Sequence, residues 1–222
     1  MSAVIFDMDG VIFDSEKAVL GVWKEIAAEW GLKEIERVFL RCVGTTKTRT
    51  REILREEYPE LDFEYFDQTV RERFLARYGG GRLPLKPGAR EVLAALQGSG
   101  TALALASSTR TVTVRRELEE AGLLDLFSVV VGGDAVTRSK PDPEIFLEAA
   151  KRLGEEPKDC FVIEDSFNGV RAAYAGGFRP VMVPDLLPPD GEMREKAERI
   201  VNDLWEAETY LRDKDKEQEE RV

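Results

Sequence analysis

Residues 3–14 read AVIFDMDGVIFD. The four apolar residues Ala3 to Phe6 have the length of a short strand buried on both faces. They run straight into Asp7-Met8-Asp9-Gly10, two aspartates spaced by one. Alternation along an extended chain sends two such side chains to the same side, and the glycine after them lets the backbone turn sharply and come close to a ligand. A buried strand that ends in paired carboxylates is what the floor of a polar site looks like in sequence.

Four more apolar runs of strand length follow: Ala102 to Ala106, Ser128 to Val131, Phe161 to Ile163 and Pro180 to Val183. Between them lie amphipathic segments with helix punctuation. Pro87 opens and Gly98 closes GAREVLAALQ; Thr111 to Ala121 stops at Gly122; Pro143 to Leu153 stops at Gly154; Val170 to Ala175 stops at Gly176-Gly177. Fully apolar strands alternating with helices predict an α/β domain with a parallel sheet and right-handed crossovers. Ligands of such sheets bind beyond the carboxyl ends of the strands.

The alternation breaks after the first strand. From Ser15 to about Gly81 no strand pattern appears, while Val19, Trp23, Ile26 and Trp30 fall on one helical face and Phe66, Val70 and Phe74 repeat every fourth residue. Residues 15–81 are therefore read as an all-helical insert, with residues 1–14 and 82–222 forming the core domain. Asp14-Ser15 and Gly79-Gly80-Gly81 mark the two crossings, which together would act as a hinge. Beyond Asp190 the sequence is strongly charged; Ile200, Val201, Leu204 and Trp205 predict one helix packed on the core, fraying after Leu211.

Composition narrows the chemistry. Of 222 residues, 32 are Lys or Arg and 43 are Asp or Glu, a formal charge of −11, which speaks against nucleic acid or an anionic membrane as partner. Histidine is absent, so Ser-His-Asp triads, HExxH zinc sites and imidazole bases are all excluded. Catalysis must run on carboxylates, lysine, hydroxyls or a metal held by oxygen. Cys42 and Cys160 sit in unrelated contexts and read as buried structural thiols. No stretch approaches the roughly 18 apolar residues of a membrane span, and Asp7 interrupts what a signal peptide would need as its apolar core; the expected location is the cytoplasm.

Acidic residues also close the fourth apolar run, Glu164-Asp165, followed by Ser166 and Gly169. If the first and fourth of these strands are neighbours, four carboxyl groups meet, an arrangement that demands a cation; oxygen-only ligands suit Mg²⁺ better than zinc or copper. Ser107-Ser108-Thr109 after the second strand and Ser139-Lys140-Pro141 after the third offer hydroxyls, backbone N–H groups and one ammonium, the makings of an anion site. Singly these are a turn, a cap and a solvated acid pair. In order at successive strand ends, they fit phosphoryl transfer to a carboxylate nucleophile.

With these residues in place, the chain resembles the haloacid dehalogenase-like hydrolases over nearly its full length, particularly the branch of β-phosphoglucomutase and small-molecule phosphatases. FDMDGVIFDSE resembles the first motif of that family, ALASST the second, SKPDPEIF the lysine motif and IEDSFNGVRAA the acidic motif. The resemblance implies a Rossmann-like three-layer core and a helical cap domain. It implies Asp7 as nucleophile, Asp9 as general acid and then base, and Ser107 and Lys140 as phosphate ligands. It implies Mg²⁺ held by Asp7, the Asp9 carbonyl and Asp165, with Glu164 beside it. The dehalogenase branch proper attacks carbon without a metal and lacks the second aspartate, which is present here as Asp9.

The expected activity is thus Mg²⁺-dependent hydrolysis of a small phosphorylated metabolite. A sugar phosphomutase is the alternative, although that branch carries a histidine early in the cap where this chain has Glu16-Lys17-Ala18-Val19. A non-catalytic regulator on the same fold is the third reading, opposed by the intact Asp7, Asp9, Lys140 and Asp165. Thr46 and Lys47, in the segment Gly44-Thr45-Thr46-Lys47, are the cap's candidates for substrate contact, with Lys17. The tryptophans Trp23 and Trp30 are read as cap core. Oligomeric state has no signature in the sequence.

Overall fold

A computed structural model describes residues 3–219. Ala3–Phe6 is β1, and every residue of it is buried. Four more of its fellows follow: β2 (Ala102–Ser107), β3 (Val129–Gly132), β4 (Cys160–Glu164) and β5 (Arg179–Met182). With a short sixth strand, β6 (Arg199–Ile200), all pair in parallel, in the order β3-β2-β1-β4-β5-β6. The chain winds outward from β1 to β3, then returns across the sheet to β4 on the other side of β1. That reversal puts a switch point at the carboxyl ends of β1 and its neighbours, where open α/β sheets bind their ligands.

Side-chain alternation builds the layers. Ala3 and Ile5, Ala104 and Ala106, and Cys160 and Val162 face one way, into a core with Ile145, Phe146 and Ala149 of α7 (Glu144–Leu153) and Ala172 and Ala173 of α8 (Phe167–Ala175). The small residues of β2 let α7 lie close. Phe161, on the opposite face, meets the ring of Tyr210 edge-on at 6.2 Å; this residue belongs to α10 (Leu204–Glu219), which packs with α5 (Ala89–Gly98). Helix α6 (Thr111–Glu120) carries the chain from β2 to β3.

The C-terminal segment departs from the sequence reading. Arg199–Ile200 is a sixth strand, β6, and a short helix α9 (Gly191–Lys196) precedes it. Ile200 and Val201 therefore belong to the sheet edge and not to a helix. The cause is local: Val201 N–H donates to the Met182 carbonyl at 2.9 Å, and the Asp203 carboxylate accepts from Glu206 N–H at 2.9 Å, so the last helix starts only after it. That helix also continues beyond Leu211, carrying Arg212–Glu208 and Lys214–Glu217 pairs on its exposed face.

By contact the described residues divide into two compact units, one made of residues 3–13 and 85–219, the other of Asp14–Pro84. Asp14 and residues 82–84, read from the sequence as core, cluster with the second unit. This unit is helical: α1 (Ser15–Trp30), α2 (Ile35–Cys42), α3 (Lys47–Glu57) and α4 (Phe63–Tyr78). Trp23 is buried there, edge-on to Phe39 at 5.0 Å and to Phe66 at 4.9 Å. Trp30 is only half-buried and stacks on Tyr65 at 5.3 Å. Bidentate ion pairs Arg73–Glu29 and Arg77–Glu25 tie α4 to α1. Gly80 and Gly81 both have positive φ, 70° and 77°, a turn that few other residues would tolerate twice in succession.

Candidate active site

Asp7 continues the β1 ladder, its N–H donating to the Ile163 carbonyl at 2.9 Å. The chain then curls back: Phe13 N–H reaches the Met8 carbonyl at 3.0 Å and Gly10 N–H the Phe13 carbonyl at 2.9 Å. Gly10 holds φ of 77°, and a Cβ built on it would stand 2.6 Å from Cγ of Asp165. Glycine is thus required twice over, for the left-handed backbone and for the room that Asp165 takes. Gly169 plays the same part at the start of α8, where an added Cβ would collide with the Glu164 carboxylate.

Lys140 joins the strand ends. Its ammonium bonds the Asp7 carboxylate, reaches Glu164 Oε1 at 2.7 Å and the Ala106 carbonyl at 3.4 Å, and sits 4.7 Å from the centre of the Phe146 ring. The three side chains are nearly sealed from water, at 7% exposure for Lys140, 10% for Asp7 and 1% for Glu164. Burial pulls the ammonium's pKa down, but Asp7 and Glu164 outweigh it, and Lys140 stays charged. Burial pushes the Asp7 carboxyl up to about 8; Lys140 opposes this, while the charges of Glu164 and Asp9 add to it. Glu164 is held from its other oxygen by the N–H of Ser166 at 2.8 Å and its hydroxyl at 2.9 Å, and Ser166 in turn caps α8 at Gly169 N–H.

At the end of β2, Ser107 is buried and its Oγ accepts from Thr109 N–H at 3.1 Å; Thr109 Oγ1 donates to Asp9 Oδ2 at 3.3 Å. Ser108 is exposed between them. Asp7, Asp9, Ser107, Thr109, Lys140, Glu164 and Asp165 all stand where the carboxyl ends of β1, β2 and β4 adjoin. The helical unit employs its candidates internally: Thr46 caps α3 by accepting from Arg49 N–H at 3.3 Å, Lys47 pairs with Asp67 at 2.8 Å, and Lys17 pairs with Asp14 at 3.3 Å.

Several residues of the site's surround escaped the sequence reading. Glu144 accepts from the backbone N–H groups of Thr137 and Arg138, both at 3.0 Å, so it pins the loop that delivers Lys140; these bonds hold its pKa down at about 2. Glu117 on α6 is pushed up to about 7 by burial, with the Asp9 charge adding. Lys86 and Asp185 form a buried pair at 2.6 Å. Only the acidic position inside SKPDPEIF offered a hint, as a helix-start acid; the others depend on partners far along the chain.

The donor set suits a small hard cation. Two buried carboxylates share one ammonium, and Asp9 and Asp165 bring further negative charge to the same strand ends, all through oxygen. Among the described residues no three such side chains already close around an ion. Mg²⁺ asks for that least, since it keeps several waters and takes one or two carboxylates together with phosphate oxygens. The residues present fit it.

Fold and site together define a doubly wound α/β protein with an acidic, lysine-bridged centre at its switch point. Residues 1–177 match the haloacid dehalogenase-like hydrolases, and the chain belongs to that family. It is 36% identical over 182 residues to the phosphorylated carbohydrates phosphatase of Thermotoga maritima, covering 82% of this chain and 84% of that one. It is 32% identical over 205 residues to the bifunctional riboflavin kinase/FMN phosphatase of Arabidopsis thaliana, covering 91% of this chain but 53% of the relative, so it spans about half of that protein. A crystal structure of a family hydrolase from Deinococcus radiodurans with bound phosphate and sodium superposes with a TM-score of 0.81 at 29% identity, covering 95% of both chains. Among the described residues no helix is long and apolar enough to cross a membrane.

Proposed function

We propose that this chain is a Mg²⁺-dependent phosphatase of small phosphomonoesters that works through an aspartyl phosphate on Asp7. The observation that carries the reading is Lys140, a buried ammonium in contact with both Asp7 and Glu164 beside the hydroxyls at the end of β2. A carboxylate nucleophile repels a phosphate dianion, and a fixed cation next to it removes that barrier.

In this mechanism Asp7 attacks phosphorus in line, and Lys140 with Ser107, Ser108 and Thr109 holds the phosphoryl oxygens. Asp9, oriented by Thr109, protonates the leaving alkoxide; it then takes the proton of the water that opens the aspartyl phosphate. Asp7, the Asp9 carbonyl and Asp165 would hold Mg²⁺, with Glu164 beside it, and the ion would supply charge neutralisation at the phosphate. Residues 15–81 serve as the cap domain and residues 1–14 with 82–222 as the core, and the cap selects the substrate, with Thr46 and Lys47 as its candidate contacts. The relatives support sugar phosphates and FMN as substrate classes to try first. A cytoplasmic setting accords with two buried free thiols.

The experiment is phosphate release from a panel of sugar phosphates, nucleotides and FMN with Mg²⁺, run alongside β-glucose 1-phosphate with a trace of the 1,6-bisphosphate. Release from several monoesters with little glucose 6-phosphate is the expected result. Isomerisation that outpaces release would make the chain a mutase, and inactivity on every ester would leave a non-catalytic role.

A further inference from the structure

We propose that Asp134, which lies beyond the end of β3 and outside every motif of the site, is a positioning residue for the phosphate-holding loop Ser107–Thr111 and, through Thr109, for Asp9. Its catalytic consequence rests on the phosphatase reading above. Its structural content does not.

Helix α6 starts at Thr111, and the residue before it, Arg110, supplies no side-chain cap. The cap comes instead from 23 residues downstream. Oδ1 of Asp134 accepts from Thr111 N–H at 2.7 Å and from Thr111 Oγ1 at 2.6 Å. Adjacent to it, Gly133 N–H donates to the Thr109 carbonyl at 2.8 Å. The loop that binds phosphate in the proposed mechanism is therefore held at Thr109 and at Thr111 by one segment, Gly133-Asp134.

This attachment is backbone against backbone. A Cβ on Gly132 would lie 2.5 Å from Thr111 Cα, and one on Gly133 would lie 2.9 Å from the Ser108 carbonyl carbon. Two glycines let the strands' exits approach to this distance, and the aspartate after them makes use of it. Two attachments meet in this loop: Asp134 holds Thr111, two residues along the chain from Thr109, and Gly133 holds Thr109 itself, whose N–H donates to Ser107 Oγ and whose Oγ1 donates to Asp9 Oδ2. Asp134 is itself exposed and its carboxylate bonds Thr111, so its effect on chemistry passes through the loop. A carboxylate at the start of α6 also favours the helix dipole, and the Thr111 bonds hold its pKa down.

The test compares Asp134→Ala, Asp134→Asn and Thr111→Val with Asp190→Ala, which removes a helix cap at α9 in the same unit. Two readouts are taken at matched fractions folded: amide hydrogen exchange of the peptide spanning residues 107–113, and the inhibition constant of inorganic phosphate together with kcat/KM on the best ester. Asp134→Ala should speed exchange in that peptide selectively and cost about tenfold or more in phosphate affinity and kcat/KM. Asp134→Asn keeps an acceptor oxygen and should recover most of both; Thr111→Val should fall between; Asp190→Ala should change neither. Wild-type exchange over 107–113 in both Asp134→Ala and Thr111→Val overturns the proposal, as does a loss of activity no greater than that of Asp190→Ala at the same melting temperature. If the wild type releases phosphate from no ester, the phosphatase reading fails, and the exchange data alone decide whether Asp134 holds the loop.

Discussion

Replacing Gly10 by alanine should separate the two demands made on that position, one by the backbone and one by Asp165. The backbone demand follows from φ of 77°, where a Cβ costs about 1–2 kcal/mol. For a chain of this size that lowers the melting temperature by about 2–4 °C per kcal/mol. The second demand is larger in its effect on chemistry. The new Cβ would sit 2.6 Å from Asp165 Cγ, whereas carbon atoms in contact settle near 3.5–4.0 Å, so the carboxylate must retreat by about 1 Å. The atom struck is the end of a side chain and can move, which spares the fold but misplaces a proposed metal ligand. A displacement of that size costs about a hundredfold in rate, and the Mg²⁺ concentration for half-maximal activity should rise. Gly154→Ala is the control: its φ is 79° and nothing lies within 4 Å of the added Cβ, so it suffers the strain without the displacement. Thermal melts and Mg²⁺ titrations of phosphate release on both variants give the comparison. Equal Mg²⁺ dependence and equal turnover in Gly10→Ala and Gly154→Ala would refute the reasoning.

Asp7→Asn should abolish turnover and leave the fold intact, because an amide is nearly isosteric but forms no acyl phosphate; wild-type turnover in pure protein contradicts the nucleophile assignment. Lys140→Met leaves Asp7 and Glu164 buried without their counter-charge, so unfolding in denaturant should show a loss of about 3–5 kcal/mol, with activity undetectable. Activity should vanish on chelation and return with Mg²⁺ but poorly with Ca²⁺, whose larger and looser shell does not hold nucleophile and phosphate in line; equal rates with both ions would argue otherwise. Glu144 has its pKa lowered from 4.5 to about 2, so its stabilising bonds are complete above pH 4.5 and lost as pH falls toward 2. Melts of the wild type and Glu144→Gln should therefore differ at neutral pH and converge in acid.

The strands of this protein are legible in its sequence because they are buried on both faces. Val4, Ile5, Leu103, Leu105, Val162 and Ile163 need no partner to declare themselves apolar, and the acids that interrupt such runs at Asp7 and Glu164 stand out for the same reason. The edge of the sheet is not legible in this way. Arg199–Ile200 is two residues long and half exposed, and Ile200 with Leu204 mimics a helical period until the Asp203 cap shows where the helix starts. Trp30 shared the stripe of Trp23 but ended half outside the helical core, since a period gives the face and not the depth.

Residue types and their order along the chain determined that this is an α/β protein with carboxylates, hydroxyls and a lysine at strand ends, without histidine chemistry. What they left open is which of those groups touch. Lys140 lies 133 residues from Asp7 and 24 from Glu164, and only the sheet order, with β4 beside β1, lets one ammonium serve both. Asp134 reaches Thr111 for the same reason, because β3 lies beside β2. Local patterns carry the energy of burial and turning, which each short segment expresses alone; a hydrogen bond between distant segments exists only after the sheet has brought its strand ends into register.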